Sequence, residues 1–522
     1  MRKLEKLQII KNVSSGWFAL GTNVVVGFFL WPIIVHRLGD DAAGIWVLIF
    51  SITGYYGLFD LGIRSSVIRY VSRAKATNDL DSSSRIVSTS LFSYTCIGAL
   101  TFLITIVVSL YVSHFHGIRP EFHMTARWLL FMVGSAVSLG FPLGVSGGVL
   151  DGLQRFDAQR FPNIAATVLR AVLIVIALRH GGGLLMVAFI TVTMPLLASM
   201  VCTAIAMRLL PVPLGLRYVD RATFREMAAY GGTTLIVIIS ARLRFRSDSV
   251  IIGAFLSTAA ITYFNIGARI VDYAGEVVEN LAQVFMPMSS HSDAQGDLER
   301  LRKIFVGGNR FCAFTIFPIC AILIVLGRSV IEAWVGDRYV HSSYPVLLIL
   351  LVSTSLMLAQ AASPRVLFGM GKHRTWAMVT LIEGVVNIGL SILLVRPFGI
   401  VGDAIGTAAP LAATTIFFLP WHLCRQLQIR LGRYLREAYL LPLIVCVPVV
   451  IVLLLMKQWF VPHNYAQLAA HLGIAGTVYG LSVSWAFASN RAMKIGELHS
   501  PEAGLEQPAV AGTVVETFSQ EI

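Results

Sequence analysis

The sequence predicts an all-α polytopic membrane protein of about 14 transmembrane helices. Three observations carry that prediction. Of 522 residues, 56% are hydrophobic and only 13% are charged, with a mean hydropathy of +0.74. A soluble domain of this size needs far more charge on its surface. Apolar runs of about 20 residues recur along nearly the whole chain, each long enough to cross the hydrocarbon core as a helix. Lys and Arg gather in alternate loops, as they do on the cytoplasmic side of a membrane.

Residues 1–14 carry Arg2, Lys3, Lys6 and Lys11 and are expected to stay in the cytoplasm. The run 15–35 has no small-residue cleavage site behind a short apolar core, so it reads as a first span rather than a signal peptide. Spans at 44–66, 87–112, 125–149, 162–178 and 184–208 complete an N-terminal lobe over 15–210. A cytoplasmic linker, 211–228, leads to a second lobe over 229–424, with spans at 229–254, 259–288, 304–326, 344–362, 375–395 and 400–423. Two further helices, 438–459 and 465–487, precede a Pro-, Gly- and Glu-containing tail, 488–522, that has no helical period and reads as disordered and cytoplasmic.

The charges support this count. With the N-terminus in the cytoplasm, roughly 26 Lys/Arg fall in cytoplasmic segments, about 8 in outer ones and about 7 inside spans. Arg64, Arg69, Arg73, Lys75 and Arg85 follow the second span, Arg208, Arg217, Arg221 and Arg225 the sixth, and Arg425, Arg430, Arg433 and Arg436 the twelfth. The loop 255–257 has no charge. A missed helix would reverse every later loop, so both termini are expected in the cytoplasm. The net charge of +13 is then a matter of topology, not of nucleic acid.

There is also an internal repeat. Val149-Leu150-Asp151-Gly152-Leu153-Gln154-Arg155 resembles Val366-Leu367-Phe368-Gly369-Met370-Gly371-Lys372, and at the same offset Trp46 falls on Tyr263. A unit of that length holds about six helices, an even number, so both copies share one membrane orientation. Such parallel repeats place a substrate path between two six-helix lobes.

Arg242, Arg244 and Arg246 lie within the apolar stretch 235–255. A charge at the bilayer centre costs roughly 2.5–3.5 kcal/mol on insertion scales and normally faces a bundle interior or a wet cavity. Three arginines in five positions suggest that water, and something anionic, enters the bundle. On a helix, Arg242 and Arg246 share a face and are expected to look into the cavity. Arg244 lies opposite, four residues before Asp248, at the spacing of a structural ion pair. The alternative is that all three sit near the cytoplasmic end and snorkel to headgroups.

The next span carries Asn265, Arg269, Asp272, Glu276 and Glu279. Arg269, Asp272 and Glu276 share one face, either as a proton- or sodium-coupling site or as a self-neutralising network. Asp60 and Arg64, four apart, read as a structural pair or as cavity lining. Asn23, Asn163, Arg170, Glu383 and Asn387 are polar residues within spans, more often helix–helix glue than ligands. Trp17, Trp31, Trp46, Tyr55, Tyr56, Tyr263 and Tyr273 read first as interfacial aromatics and second as platforms for sugar rings.

Other patterns carry less. Asp79-Leu80-Asp81 lies in a short polar loop, and His114, His116 and His123 lack the spacing of a metal site. Gly371-Lys372-His373 is no phosphate-binding loop, since Ser or Thr is missing after the Lys. The six cysteines form no CxxC pair and read as small core residues. No metal, cofactor or ATPase motif is expected, so transport would draw on an ion gradient, a substrate gradient or a partner.

The run Leu38-Gly39-Asp40-Asp41-Ala42-Ala43-Gly44-Ile45-Trp46, then Phe59-Asp60-Leu61-Gly62-Ile63-Arg64 and Val67-Ile68-Arg69-Tyr70, resembles the first two helices of oligosaccharide flippases. These form the polysaccharide-synthesis branch of the multidrug/oligosaccharidyl-lipid/polysaccharide exporter superfamily. Asp248-Ser249-Val250-Ile251-Ile252-Gly253, with Tyr263, Arg269 and Pro287, resembles the stretch that opens their second half. The resemblance covers roughly residues 10–490 and implies two six-helix lobes in a V around a central cavity. It implies alternating access, carrying a polyprenyl-pyrophosphate-linked glycan between leaflets of a bacterial inner membrane for surface or exopolysaccharide synthesis. Membrane lipids, and a polysaccharide polymerase or export machinery, would be its partners.

Flipping breaks no bond, so no enzyme activity is expected. Pyrophosphate needs cations with parallel donors, which suits Arg242 and Arg246, joined by Arg64 and Arg269. A peptidoglycan-precursor flippase would share such a cavity, whereas a drug/cation antiporter is disfavoured by the arginines. A membrane glycan polymerase or glycosyltransferase would need a large outer loop. The longest here, about 327–343, carries only Glu332 and Asp337 as acids.

Overall fold

The computed structural model describes residues 2–498 apart from 78, 113, 114 and 116. His114, His116 and most of the expected tail therefore lie outside the described residues. Helices account for the described architecture, and no strand occurs among the described residues.

The first half comprises α1 (Arg2–Leu38), α2 (Asp40–Gly54), α3 (Ile63–Ala76), α4 (Leu80–Tyr111), α5 (His123–Gly152), α6 (Phe156–Arg179) and α7 (Leu184–Leu209). The second comprises α8 (Arg221–Arg246), α9 (Asp248–Phe255), α10 (Thr258–Ala282), α11 (Phe285–Ala294), α12 (Leu298–Val335), α13 (Val340–Leu358), α14 (Ala362–Gly369), α15 (Arg374–Ala413) and α16 (Leu419–Gln426). α17 (Leu431–Leu435), α18 (Leu441–Trp459) and α19 (Tyr465–Leu498) follow.

Local chemistry sets several boundaries. Gly39, at φ 82°, makes the turn between α1 and α2 that a residue with a Cβ rarely allows. Asp79, Ser257 and Asp297 cap α4, α10 and α12 by accepting from Ser82, Ala260 and Arg300 N–H at 2.9, 3.2 and 2.9 Å. Asp220 caps α8 through the N–H groups of Ala222 and Thr223.

The expected span 44–66 is corrected. The helix tightens into a 3₁₀ segment, Tyr55–Asp60, and stops where Leu61 and Gly62 turn left-handed at φ 50° and 72°. α3 then restarts at Ile63 and carries Arg64, Arg69 and Arg73. The expected spans 375–395 and 400–423 run on as α15, folded back at Gly399 (φ 59°, ψ −141°), then a π segment, Thr414–Phe418, and α16. α19 carries helix to Leu498, beyond the expected end at 487.

Ten helices among the described residues are long and apolar enough to cross a membrane. The polar α8–α9 and α10 segments are not among them. Large apolar side chains such as Phe18, Leu103, Phe189, Leu393, Phe417 and Trp485 stand exposed around the outside, which suits lipid and not water.

The packing positions the site. At the end that carries the Gly39 turn, hereafter the distal end, both halves share one core. Val35, Ile45, Leu48 and Ile49 are buried there with Ile252, Ile261, Val335 and Leu347. At the proximal end the cores are separate. One holds Val67, Val71, Ile86, Val149 and Leu150, and the other Phe305, Val366, Leu367, Leu423 and Tyr434. Two bodies fused at one end and parted at the other make a V. α18 and α19 lean on α12 through Val325, Leu326, Val449, Leu453 and Ala475.

Candidate functional site

A cavity of about 1270 Å³ lies between the two halves. Its distal end is sealed. Gly44 meets α10 so closely that a Cβ there would lie 1.8 Å from the Thr258 carbonyl oxygen. Beyond this contact, the Asp40 carboxylate accepts from Arg338 at 2.9 Å, Tyr339 Oη at 2.5 Å and Tyr263 Oη at 3.1 Å. Asp41 accepts from the Thr258 hydroxyl at 2.7 Å and pairs with Arg119 at 3.1 Å. At the proximal end the lining reaches Gln283, Met286, Phe368 and Trp376.

Charge concentrates on the wall formed by α8, α9 and α10. Arg242 lines the cavity and extends across it to the end of α2. A Cβ on Gly57 would come within 3.0 Å of its guanidinium, and one on Gly54 within 3.8 Å. Those glycines leave the space that the arginine uses. Arg246, one turn on, also lines the cavity, within electrostatic reach of Arg242, Arg269, Asp272 and Tyr55. Arg269 lies 5.9 Å from the Trp31 ring centroid, over its face, an attraction that fixes a cation against an aromatic. Asp272 and Glu276 share the lining with them.

Two expectations are corrected. Arg244 pairs with Glu383 of α15 at 2.6 Å, not with Asp248, and both partners are buried. The i,i+4 spacing needs a continuous helix, but α8 ends at Arg246 and α9 begins at Asp248. Asp248 turns instead to accept from the Thr407 hydroxyl at 2.9 Å. Arg64 is not among the cavity-lining residues; it pairs with Asp151 of α5 at 3.1 Å. The break at Leu61–Gly62 also separates it from Asp60, which accepts from Tyr94.

Among the further lining residues, Arg365 and Trp376 have no strong local signal in the sequence. Arg365 of α14 pairs with Glu279 of α10, and both face the cavity. The signal was Glu279 itself, an acid inside a span that needs a cation. Arg170 enters from α6, and its buried Nε has no hydrogen-bond partner among the described residues. Trp31, Trp46, Tyr273 and Trp376 add aromatic faces, whereas Trp17 is exposed away from the lining. Six arginines (Arg170, Arg242, Arg244, Arg246, Arg269, Arg365) thus face four acids (Asp248, Asp272, Glu276, Glu279) around this space.

Residues 34–344, more than half of the chain, match the polysaccharide biosynthesis protein family. The chain belongs to that family. A putative O-antigen transporter of Shigella flexneri is 20% identical to this polysaccharide biosynthesis protein over 418 residues, 76% of this chain and 94% of the relative. A probable low-salt glycan biosynthesis flippase of Haloferax volcanii, Agl15, is 23% identical over 221 residues, 42% of this chain and 46% of that one. Among solved structures, the lipid II flippase MurJ in an inward closed conformation superposes with a TM-score of 0.69 at 14% identity, over 92% of this chain and 99% of that one. An inward-facing multidrug resistance MATE family transporter superposes with a TM-score of 0.64, also at 14% identity, over 79% and 95%. At these identities the likeness is one of fold, and the fold is that of the superfamily the sequence resembles.

Proposed function

We propose that this polysaccharide biosynthesis protein flips a polyprenyl-pyrophosphate-linked oligosaccharide across a bacterial inner membrane by alternating access. The observation that carries the proposal is the cavity: arginines gathered in a space sealed at one end, inside a bundle whose outside is apolar. An amphipathic lipid can leave its isoprenoid tail in the bilayer, but its charged headgroup needs a wet, cationic path. Arg242, Arg246 and Arg269, with Arg170 opposite, are the groups to hold pyrophosphate, because the planar guanidinium donates two parallel bonds to phosphate oxygens. Trp31, Trp46, Tyr273 and Trp376 offer faces to the sugars. The printed names of the relatives, an O-antigen transporter and a glycan flippase, support the same reading.

In this reading the sealed distal end faces outward, both termini are cytoplasmic, and about 14 spans cross the bilayer. The lobes are 15–210 and 229–424, joined by 211–228, with 438–487 appended. The headgroup enters from the cytoplasmic leaflet, and breaking the distal contacts releases it outward. A proton or sodium gradient drives the cycle through carboxylates such as Asp272 and Glu276, and a polymerase or export machinery takes the product.

The test is translocation of a labelled lipid-linked oligosaccharide in proteoliposomes. Each lost charge-assisted bond is worth about 1.5–3 kcal/mol, so Arg242→Ala with Arg246→Ala should slow transport by about tenfold or more. Lysine at both positions should restore part of it. Wild-type rates in the double alanine variant would remove these residues from the headgroup site.

A further inference from the structure

We infer that an anionic phospholipid binds in a groove between α1 and α6 at the distal end, with its phosphate held by Arg37 and Arg179. A second, smaller pocket of about 300 Å³ opens there, and it shares no lining residue with the central cavity. Arg37 and Arg179 line it with His36, and all three are exposed. Its floor is apolar, made by Ile33, Val175 and Leu178. Ile33 and Arg37 stand four apart on α1, as Val175 and Arg179 do on α6, so each helix presents an apolar residue and a cation on one face. Both arginines lie in the last turn of their helices, the level at which a spanning helix meets lipid headgroups.

These two arginines are the anomaly. Other cations at this end are paired, Arg119 with Asp41 at 3.1 Å and Arg338 with Asp40 at 2.9 Å. Arg37 and Arg179 have no ion pair among the described residues, and no acid lines their pocket. The C-terminus of a helix favours a cation, which accounts for one on each of α1 and α6. It does not account for two at one small pocket with nothing between them, since like charges repel. An anion between the two removes the repulsion. Phosphate suits the place, because each planar guanidinium can donate two parallel bonds to its oxygens.

The pocket continues as an apolar strip. One and two turns before Ile33, α1 exposes Phe29 and Val25, and one and two turns before Val175, α6 exposes Val172 and Val168. An acyl chain can lie along this strip while its phosphate sits at the distal end. Leu30, Ile34 and Ile174 pack together between α1 and α6 and line the central cavity on their other side. They wall the groove off from that cavity, so it fills from the surrounding bilayer and its occupant is a membrane phospholipid, not the lipid carried. The pocket also touches the distal seal. His36 Nδ1 donates to the Pro32 carbonyl oxygen at 2.7 Å, and its Nε2 would lie 3.9 Å from a Cβ on Gly336. Gly336 opens the turn that brings Arg338 and Tyr339 to Asp40. A lipid bound here thus lies against the contacts that hold the seal, whichever lipid is transported.

The experiment is native mass spectrometry of the purified, delipidated full-length chain titrated with phosphatidylglycerol. Wild type should take up one molecule ahead of any others, about tenfold or more tightly than phosphatidylcholine with the same chains. Arg37→Gln with Arg179→Gln should abolish that preference. Arg221→Gln with Arg225→Gln, which removes the same charge from exposed turns of α8, should keep it. Inorganic phosphate in large excess should not displace the lipid, because it brings nothing to the apolar strip. If the first double variant is not monodisperse, Arg179→Gln alone carries the comparison, with the preference lowered about fivefold. Equal binding of the two phospholipids by wild type, an unchanged preference in the folded Arg37 and Arg179 variants, displacement by inorganic phosphate, or tighter binding of a polyprenyl phosphate would each overturn the site. Phosphatidylglycerol binding without glycan-lipid transport would leave the site standing and remove the transport proposal; the converse would remove the site alone.

Discussion

Arg244 and Arg246 are two residues apart on one helix and serve opposite ends. Arg246 is exposed to the cavity, while Arg244 is 6% exposed and bound to Glu383. Removing one partner of a buried pair leaves the other charge stranded, at a cost of about 3–5 kcal/mol. Arg244→Met should therefore lower the thermal midpoint of the detergent-solubilised protein, and adding Glu383→Leu should recover part of the loss. An unchanged midpoint in the single variant would mean that the pair contributes no stability. Arg242 depends on a neighbour with no side chain. Gly57→Val should push its guanidinium out of place and slow lipid transport several-fold, with thermal stability near wild type. The arginines themselves were legible because a charge in an apolar run is costly, and helical periodicity separated Arg244 from its neighbours. Its partner was not, because Glu383 comes from another helix and no local spacing points to it. That Glu383 and Asn387 share a face was readable, and both do meet α8, one at the Arg244 side chain and one at its carbonyl.

At the level of elements, apolar length revealed nearly every helix, since a span needs about 20 such residues whatever it packs against. The interruptions were harder to see. Gly62 and Gly399 mark two of them, and glycine gives a weak hint. Ser247 marks the break between α8 and α9, and nothing in its neighbourhood signals one; tertiary contacts of Asp248 with α15 hold it. These breaks are where the site is made, so the spans were more legible than the cavity between them. At φ 59° and ψ −141°, Gly399 occupies backbone space that a Cβ penalises by about 1–3 kcal/mol. Gly399→Ala should therefore lower the thermal midpoint of the detergent-solubilised protein. An unchanged midpoint would mean that the fold-back tolerates a Cβ at this position.

For the molecule as a whole, the common distal core and the separate proximal cores imply that opening the other end means breaking the contacts around Gly44 and Asp40. Gly44→Val should prevent that closure, given the 1.8 Å approach of a Cβ to the Thr258 carbonyl oxygen. With a single cysteine at Ser51, which lines the cavity, a membrane-impermeant thiol reagent added outside should label the Gly44→Val protein faster than the parent. Equal labelling would show that the seal does not depend on this contact. The one-ended seal also determines where the membrane voltage falls. A water-filled cavity conducts, so the potential drops mainly across the apolar plug of Ile45, Leu48, Ile252 and Ile261. In the proposed orientation, an anionic headgroup that has entered the cavity has travelled much of the distance but little of the electric field. It meets about 2.3 kcal/mol per elementary charge per 100 mV only as the plug parts, and with a negative cytoplasm that force is directed outward.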